Sequence, residues 1–218
     1  MRIIIAAAGQ GKRWNNYRNV PKHLVNIEGE ILLNRIVRQF SKYTNDIIVI
    51  GRDDRYLIDG STLEYPIDGE WYDFGKIYSS NHLWSENRTI IVFGDVYFTD
   101  DAVLKIVNDN NDYRFFMRTG PSKVTRKNHK EIFAIAFNAN MNNKIKTSIE
   151  TLITRKTTGG AGAWQLYLYM HGKTGYAWNM KMLLSSGGYT EINDWTDDFD
   201  TPQDINNWEK RRLKFGAK

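Results

Sequence analysis

Small residues and cations lie close together near the start of the chain. The segment from Ala6 to Gly11 is rich in Ala and Gly, and Lys12 and Arg13 follow it directly. Small residues let the backbone turn tightly and present its N–H groups to a ligand. Lys22 adds a third positive charge shortly afterwards. Exposed amides beside three cations are suited to holding phosphate.

Two common phosphate-binding motifs do not fit this segment. A Walker loop needs Ser or Thr after its Gly-Lys pair as a magnesium ligand, but Arg13 follows Gly11 and Lys12 here. A dinucleotide-binding fingerprint needs a third glycine, and the chain has Trp14 at that position. We therefore exclude a Walker-type site and a Rossmann dinucleotide-binding site.

The elements on either side of the turn predict how it is held. Ile3, Ile4 and Ile5 form a short apolar run, which is typical of a strand buried on both faces. Apolar residues at helical spacing predict a helix that ends near Tyr43, and residues 46–51 predict a second buried strand. Strand, turn, helix and strand in this order form the parallel crossover unit of an α/β sheet.

The middle of the chain continues this alternation. A third buried strand is predicted over residues 89–95 and ends in the carboxylate of Asp95. Residues 52–70 are polar and predict short irregular elements, and Asp73 is a candidate cap for a helix through Leu83. Further helices are predicted over residues 100–107, 143–153 and 164–170, and further strands over 113–118, 131–137 and part of 181–192.

The last helix has a well-marked start. Thr201 is the predicted N-cap, Pro202 takes the first helical position, and Asp204 follows two residues later. We find no internal repeat, low-complexity tract or linker along the sequence, so we predict one domain over residues 1–218.

The composition limits the class of protein. Hydrophobic residues make up 41% of the chain and aromatic residues 13%, which is typical of a folded globular protein. The absence of cysteine excludes a disulfide framework and a thiolate metal site. The apolar run at the start is too short for a signal peptide, and no stretch reaches the roughly 18 apolar residues of a membrane span. We therefore expect a soluble cytoplasmic protein.

The net charge of +5 favours anionic partners. Basic residues are spread along the chain, and the dense run Lys210-Arg211-Arg212 is more typical of a solvated helix face than of a nucleic-acid site. We therefore expect small anionic substrates, with no nucleic acid and no membrane as partners.

Three motifs of the chain belong together by their order and spacing. They are Ala7-Ala8-Gly9-x-Gly11-x-Arg13 with Pro21-Lys22-x-Leu24, then Val92-Phe93-Gly94-Asp95, and finally Asp200-Thr201-Pro202-Gln203-Asp204-Ile205. In this order they resemble the nucleoside triphosphate transferase family, the sugar-phosphate and phosphocholine-type nucleotidyltransferases. Residues 73–80 are more loosely similar to the choline-phosphate-type members. The stretch from Ser122 to Met180 matches no motif of the family.

The resemblance implies both a fold and a site. The implied fold is α/β and glycosyltransferase-A-like (Rossmann-like), with three α/β/α layers around a mixed, mostly parallel central sheet. The implied catalytic residues are Arg13, Lys22, Asp95 and Asp200, and the two aspartates are the implied ligands of Mg²⁺. The implied nucleotide-binding residues are Ala7, Ala8, Gly9, Gln10, Gly11, Lys12, Arg13 and Lys22. The chain departs from the family pattern at Lys12, Phe199 and Gln203, and none of these changes removes a metal ligand.

The implied chemistry is consistent with these residue types. A nucleotidyltransferase joins a substrate phosphate to the α-phosphorus of an NTP and expels pyrophosphate. A phosphate monoester has a second pKa near 6 and is mostly a dianion at neutral pH, so no general base is required. Electrostatic stabilisation must then supply most of the catalysis. On this hypothesis Arg13 holds the β- and γ-phosphates and Lys22 neutralises charge at the α-phosphate.

Two other functions stay open at this point. One is a metal-dependent glycosyltransferase that uses a nucleotide sugar, although Asp198-x-Asp200 comes late in the chain for its Asp-x-Asp motif. The other is a non-catalytic nucleotide-binding regulatory protein, which would need no paired metal ligands.

The substrates are predicted only as classes. The nucleotide is CTP or UTP, and Ile77-Tyr78-Ser79 favours CTP through the choline-phosphate-type resemblance. The acceptor is a small phosphorylated molecule such as a sugar phosphate or an amino-alcohol phosphate. Trp164, Tyr167 and Tyr169 either shape its pocket or belong to the core. The oligomeric state stays open, a homodimer included.

Overall fold

A seven-stranded sheet forms the centre of the computed structural model, which describes residues 1–67, 77–128, 130–154, 162–173 and 187–215. The strands are β1 (Arg2–Ala6), β2 (Asn26–Ile27), β3 (Glu30–Ile31), β4 (Ile47–Ile50), β5 (Thr62–Glu64), β6 (Arg88–Phe93), β7 (Val96–Tyr97), β8 (Tyr113–Arg118), β9 (Glu131–Asn138), β10 (Tyr189–Glu191) and β11 (Asp197–Asp198). The helices are α1 (Leu32–Phe40), α2 (Asp100–Val107), α3 (Asn142–Thr154), α4 (Ala163–Met170) and α5 (Pro202–Phe215).

The sheet is mixed and mostly parallel, as predicted. Its strand order is β10-β8-β9-β6-β1-β4-β5. β9 runs antiparallel to both of its neighbours, and the other four pairings are parallel. Two short antiparallel pairs, β2 with β3 and β7 with β11, lie outside the main sheet.

The alternation of side chains along β1 divides the core into two halves. Ile3 and Ile5 pack in one apolar cluster with residues of α1, α2 and α5. Ile4 and Ala6 point to the opposite face and pack with residues of α3 and α4. Helices therefore cover both faces of the sheet, which confirms the predicted three-layer α/β/α arrangement.

Most predicted elements are present, with small shifts in their bounds. α1 ends at Phe40 rather than near Tyr43, because the next residues form a turn in which the Tyr43 N–H donates to the Phe40 carbonyl at 3.0 Å. Within residues 52–70, predicted to be irregular, β5 forms a parallel edge strand beside β4. Three residues are too few for a periodic signal, so the sequence did not reveal it.

Two predictions concern regions that are described only in part. Asp73, the predicted cap, lies outside the described residues, while residues 77–78 are helical and residues 81–83 form a 3₁₀ turn. Residues 181–186 also lie outside them, and β10 is the strand found in the remainder of that predicted region.

Among the described residues, no helix combines the length and apolar character needed to cross a membrane. The single domain, the cytoplasmic location and the oligomeric state stay predictions.

Gly94 lies where the ends of two parallel strands approach each other most closely. Its N–H donates to the Ala6 carbonyl at 3.1 Å, which joins the end of β6 to the end of β1. A Cβ atom at this position would lie 2.8 Å from the Cβ of Ala7, a distance that requires the backbone to shift. The close contact of the two strand ends therefore depends on glycine.

We expect Gly94→Ala to lower the free energy of unfolding by about 1–3 kcal/mol, because overpacking a dense site forces its neighbours apart. Urea unfolding followed by circular dichroism measures this change. Gly120→Ala is the matched control, since a Cβ there meets no atom within 4 Å and its backbone is not left-handed. Equal stability of the two variants would contradict the tight packing at Gly94.

Candidate active site

A cavity of about 760 Å³ lies at the carboxyl ends of β1 and β6. Carboxyl ends of parallel strands meet at one edge of a sheet, which is where open α/β sheets bind ligands. One wall comes from residues 9–13 and the other from the start of β9 and the start of α4. The charged residues that line the cavity are Lys12, Arg13, Lys22, Asp95, Lys130, Glu131, Asp198 and Asp200.

The glycine turn is held in place by Trp14. Gly11 has a left-handed backbone with φ of 61°, which glycine adopts without strain. A single 3₁₀ turn then carries Lys12 and Arg13, both exposed, and buries Trp14. The Trp14 indole N–H donates to the Val20 carbonyl at 2.8 Å. A buried aromatic anchor therefore fixes the turn and leaves its cations facing the cavity.

The two predicted metal ligands meet at one ammonium group. The Lys22 Nζ donates to Asp95 Oδ2 and lies 3.4 Å from Asp200 Oδ1. The Lys22 side chain is only 9% exposed, and each carboxylate is 18% exposed. Asp95 and Asp200 are thus brought together, although more than a hundred residues separate them in the sequence.

A short strand pair explains how these two aspartates come together. β7 begins directly after Asp95 and pairs with β11, with Val96 opposite Asp198. The Phe199 N–H donates to the Asp95 carbonyl at 2.9 Å. These main-chain contacts fix the segment before Asp200 against the end of β6. Two-residue strands leave no pattern in the sequence, so this pairing was not predicted.

The charges at the centre of the site are mutually stabilised. Burial alone would lower the pKa of Lys22, but Asp95 and Asp200 raise it above its usual value. Burial would raise the pKa of the Asp200 carboxyl, but the nearby ammonium groups of Lys22 and Lys127 lower it. Lys22, Lys127 and Asp200 are therefore charged at neutral pH. Arg13 adds a further cation, with its Nη2 3.0 Å from Asp200 Oδ1.

Lys127 belongs to this site but carries no motif that predicts it. Its Nζ lies 2.5 Å from Asp198 Oδ2, 3.3 Å from Asp204 Oδ2 and 3.5 Å from Asp200 Oδ2. Burial would lower the pKa of Lys127, but Asp198 and Asp200 raise it well above its usual value. The residue falls in the stretch that matches nothing in the family, and a lysine in a polar loop is usually solvated.

In the acidic segment before α5, alternate side chains point to opposite sides of the extended backbone. Asp198 and Asp200 line the cavity, whereas Asp197 and Phe199 point away from it and are 0% exposed. Asp197 is held by Arg118 at 2.5 Å and by the Thr125 hydroxyl at 2.7 Å. Asp198 is 5% exposed and lies in the cavity wall.

The other predicted nucleotide-binding residues divide into two groups. Gly9, Gln10, Gly11, Lys12 and Arg13 line the cavity.

Ala7 and Ala8 do not line it and are almost fully buried. The Ala7 N–H donates to the Ile50 carbonyl at 3.0 Å, and the Ala8 carbonyl accepts a hydrogen bond from the Arg52 Nε. These two alanines support the turn from behind, and a direct contact between them and a nucleotide stays a prediction.

The aromatic group of α4 is divided between cavity and core. Trp164 lines the cavity, and the Lys130 ammonium lies 5.9 Å from the centroid of its ring. Tyr167 is 0% exposed and belongs to the core, with Tyr169 packed against the same cluster. Trp164 also packs against this core cluster, and its role in shaping an acceptor pocket stays a prediction.

The donor set at the centre is consistent with a hard divalent cation. Carboxylate oxygens are the ligands that Mg²⁺ prefers, and Asp95 and Asp200 already face one shared cation, the Lys22 ammonium. In the part of the chain that the structure describes, no group of three or more acidic or histidine side chains could hold a metal ion. A metal here would therefore need substrate oxygens and water to complete its shell.

Comparison with known proteins shows which proteins this chain is similar to. No family model matches the chain. The chain is 30% identical over 113 residues to the bifunctional protein GlmU of Dechloromonas aromatica (strain RCB). That alignment covers 48% of this chain and 24% of the relative, so the chain spans about a quarter of the length of the curated relative that it matches.

Solved structures match nearly the whole chain. A Bacillus anthracis protein assigned as a glucose-1-phosphate thymidylyltransferase has a TM-score of 0.62 and 13% identity, with 100% of this chain and 97% of that chain covered. The CTP:phosphocholine cytidylyltransferase of Streptococcus pneumoniae has a TM-score of 0.58 and 16% identity, with 96% and 98% covered. The inositol-1-phosphate CTP transferase of T. maritima has a TM-score of 0.62 and 11% identity, with 99% and 98% covered.

The chain therefore has the Rossmann-like α/β fold of the sugar-phosphate and phosphocholine-type nucleotidyltransferases. This confirms the predicted fold, and the matching structures carry the names of enzymes of the kind that the sequence motifs resemble.

Proposed function

We propose that this chain is a Mg²⁺-dependent nucleotidyltransferase. It transfers a nucleoside monophosphate from an NTP to a small phosphorylated acceptor and releases pyrophosphate. The observation that carries this proposal is the position of Lys22, whose ammonium contacts both Asp95 and Asp200 beside the glycine turn. The names of the matching proteins, which are nucleotidyltransferases of sugar, choline or inositol phosphates, support the same reaction class.

The cations on the turn side of the cavity are assigned to the triphosphate. Arg13 is 70% exposed at its side chain, so its guanidinium can turn from Asp200 towards phosphate oxygens without breaking a buried structure. Lys22 is buried and reaches the cavity from one fixed direction, which suits a point charge at the α-phosphate. Residues 9–11 line the same cavity, and their N–H groups are assigned to the triphosphate as well.

The metal is assigned to the carboxylates. Asp95 and Asp200 would hold Mg²⁺ together with phosphate oxygens and water. When bound, the ion supplies charge neutralisation on the reacting phosphate groups. The acceptor phosphate attacks as a dianion, so the chain's own contribution is to orient two anions and offset their repulsion.

The acceptor is assigned to the wall opposite the turn. Lys130, Glu131, Trp164 and Gln165 line that side of the cavity. Burial lowers the pKa of Lys130, and no carboxylate contributes to this shift. This wall therefore offers a cation for phosphate, a carboxylate for hydroxyl or amino groups, and an aromatic face. A sugar phosphate or an amino-alcohol phosphate would match these groups.

CTP is the proposed nucleotide, with UTP as the alternative. Two of the three matching structures described above are named as enzymes that use CTP. The Ile77-Tyr78-Ser79 similarity to the choline-phosphate-type members adds to this choice. In the structure Tyr78 donates a hydrogen bond to Glu150 at 2.8 Å.

A screen of the four NTPs against phosphorylated sugars, polyols and amino alcohols tests the proposal, with pyrophosphate release as the readout. We expect release with one NTP, preferentially CTP, only when an acceptor and Mg²⁺ are both present. Mass spectrometry of the product identifies the acceptor. Tight NTP binding without turnover on any acceptor would instead favour the non-catalytic nucleotide-binding protein.

One observation favours a glycosyltransferase as the second candidate. Asp198 and Asp200 both line the cavity, so the Asp-x-Asp spacing is present at the site itself. A glycosyltransferase would release a nucleoside diphosphate from a nucleotide sugar and no pyrophosphate from an NTP. The same screen, extended to nucleotide sugars, therefore separates the two reactions.

A further inference from the structure

Lys127 lies near a different oxygen of Asp200 from the one that Arg13 and Lys22 contact. Asp200 Oδ1 lies 3.0 Å from Arg13 and 3.4 Å from Lys22, while its Oδ2 lies 3.5 Å from Lys127. The two oxygens of the Asp200 carboxylate therefore have different cations as neighbours. Lys127 is 10% exposed and does not line the cavity, so a substrate in the cavity would not touch it.

Lys127 also holds the backbone on which Asp200 sits. Asp204 Oδ2 accepts the N–H of Asp200 at 3.0 Å and that of Thr201 at 2.8 Å, as the acidic partner at the start of α5. The same oxygen lies 3.3 Å from the Lys127 ammonium. Lys127 therefore contacts both the side chain of Asp200 and the carboxylate that fixes its main chain.

Lys127 is the cation of a cluster of acidic side chains around Asp200. Asp198, Asp200 and Asp204 are largely buried, and the Lys127 ammonium lies within 3.5 Å of a carboxylate oxygen of each of them. On the proposed function, Arg13 turns to the triphosphate when it binds, and the fixed ammonium of Lys22 faces the α-phosphate. Of the three cations that contact Asp200 in the described part of the chain, Lys127 is the one to which no phosphate contact is assigned.

We propose that Lys127 is a positioning residue for the metal site. It holds Asp200 with Oδ1 towards the cavity, so that this carboxylate stays ready to bind the metal when Arg13 and Lys22 engage phosphate. The inference rests on the proposed function, because it assumes that Asp200 is a metal ligand.

Binding of Mn²⁺ alone to the whole chain, measured by electron paramagnetic resonance, tests this role without turnover. We expect Lys127→Met to weaken Mn²⁺ binding by about 10-fold, within the range seen when residues that orient metal ligands are removed. Lys127→Arg keeps the charge and should restore binding to within about threefold of the unmodified protein. The exposed Lys105, on α2, provides the matched control, and Lys105→Met should bind Mn²⁺ as the unmodified protein does.

A second variant keeps the test decisive if Lys127→Met fails to fold. Lys127→Met combined with Asp204→Asn removes one charge of each sign and retains an oxygen acceptor at position 204. Asp204→Asn alone is its control. The double variant should still bind Mn²⁺ about 10-fold more weakly than Asp204→Asn. Equal binding by these two proteins, or full binding by a folded Lys127→Met protein, would overturn the inference.

Asp200→Asn separates failure of this inference from failure of the proposed function. If Asp200→Asn weakens Mn²⁺ binding and the Lys127 variants do not, Asp200 binds the metal without help from Lys127. If Asp200→Asn leaves Mn²⁺ binding unchanged, both the inference and the proposed metal site are wrong.

Discussion

Asp95→Asn and Asp200→Asn are each expected to lower Mg²⁺-dependent pyrophosphate release by at least about 10²–10³-fold, the range for removing one group that stabilises charge in a transition state. Asn keeps the shape of Asp but loses the negative charge that binds a divalent ion. Both side chains are 18% exposed, so the amide of each Asn can reach water. Initial rates at increasing Mg²⁺ concentration measure the loss, and circular dichroism checks the fold.

Asp46→Asn is the control for these two variants. Asp46 precedes β4 and pairs with Arg2 at 2.9 Å, at the opposite end of the sheet from the cavity. Its replacement removes an exposed carboxylate and should leave the rate unchanged. Near-normal turnover in Asp95→Asn or Asp200→Asn would remove that residue from the proposed metal site.

Lys22→Met is expected to have opposite effects on turnover and on the binding of metal alone. Pyrophosphate release should fall by about 10²–10³-fold, because the charge proposed to act at the α-phosphate is lost. Binding of Mn²⁺ without nucleotide should become at least about 10-fold tighter, because the Lys22 ammonium contacts both Asp95 and Asp200 where the metal is proposed to bind, and its removal vacates that place. Steady-state kinetics and the same resonance titration measure the two quantities.

The two halves of this prediction can fail separately. Unchanged Mn²⁺ binding with lost turnover would mean that Lys22 acts on phosphate but does not compete with a metal for the carboxylates. Tighter Mn²⁺ binding with normal turnover would mean that the ammonium is only a counter-ion of the unliganded site. Lys105→Met is the control, since Lys105 is exposed on α2 and away from the cavity lining.

Elements with strong local signals were predictable from the sequence. α2 has the predicted bounds. At its start the Ala102 N–H, which has no partner within the helix, donates a hydrogen bond to the Thr99 hydroxyl oxygen at 3.1 Å. α5 begins at Pro202 behind Thr201, as predicted. β8 also has its predicted bounds. In these segments, capping and periodicity agree with the tertiary structure.

Only those residues of the site that lie in recognisable sequence motifs could be predicted. The order of the elements alone implies that Asp95 lies beside the glycine turn, since both follow parallel strands. The position of Asp200 depends on the pairing of β7 with β11, which is too short to leave a pattern. Lys127 is brought to the carboxylates purely by tertiary contacts, and nothing in its neighbourhood distinguishes it from a solvated lysine.

The reversed direction of β9 has a consequence for how such a pocket can diversify. Since β9 opposes its neighbours, its first residues arrive at the edge where β1 and β6 finish. One side of the opening is thus built by an early stretch of chain and the other by a stretch far downstream. Substitutions at the start of β9 can reshape what is admitted on that side while leaving the opposite side as it was. On the proposed function, the acceptor side of the pocket can therefore change while the nucleotide side stays the same.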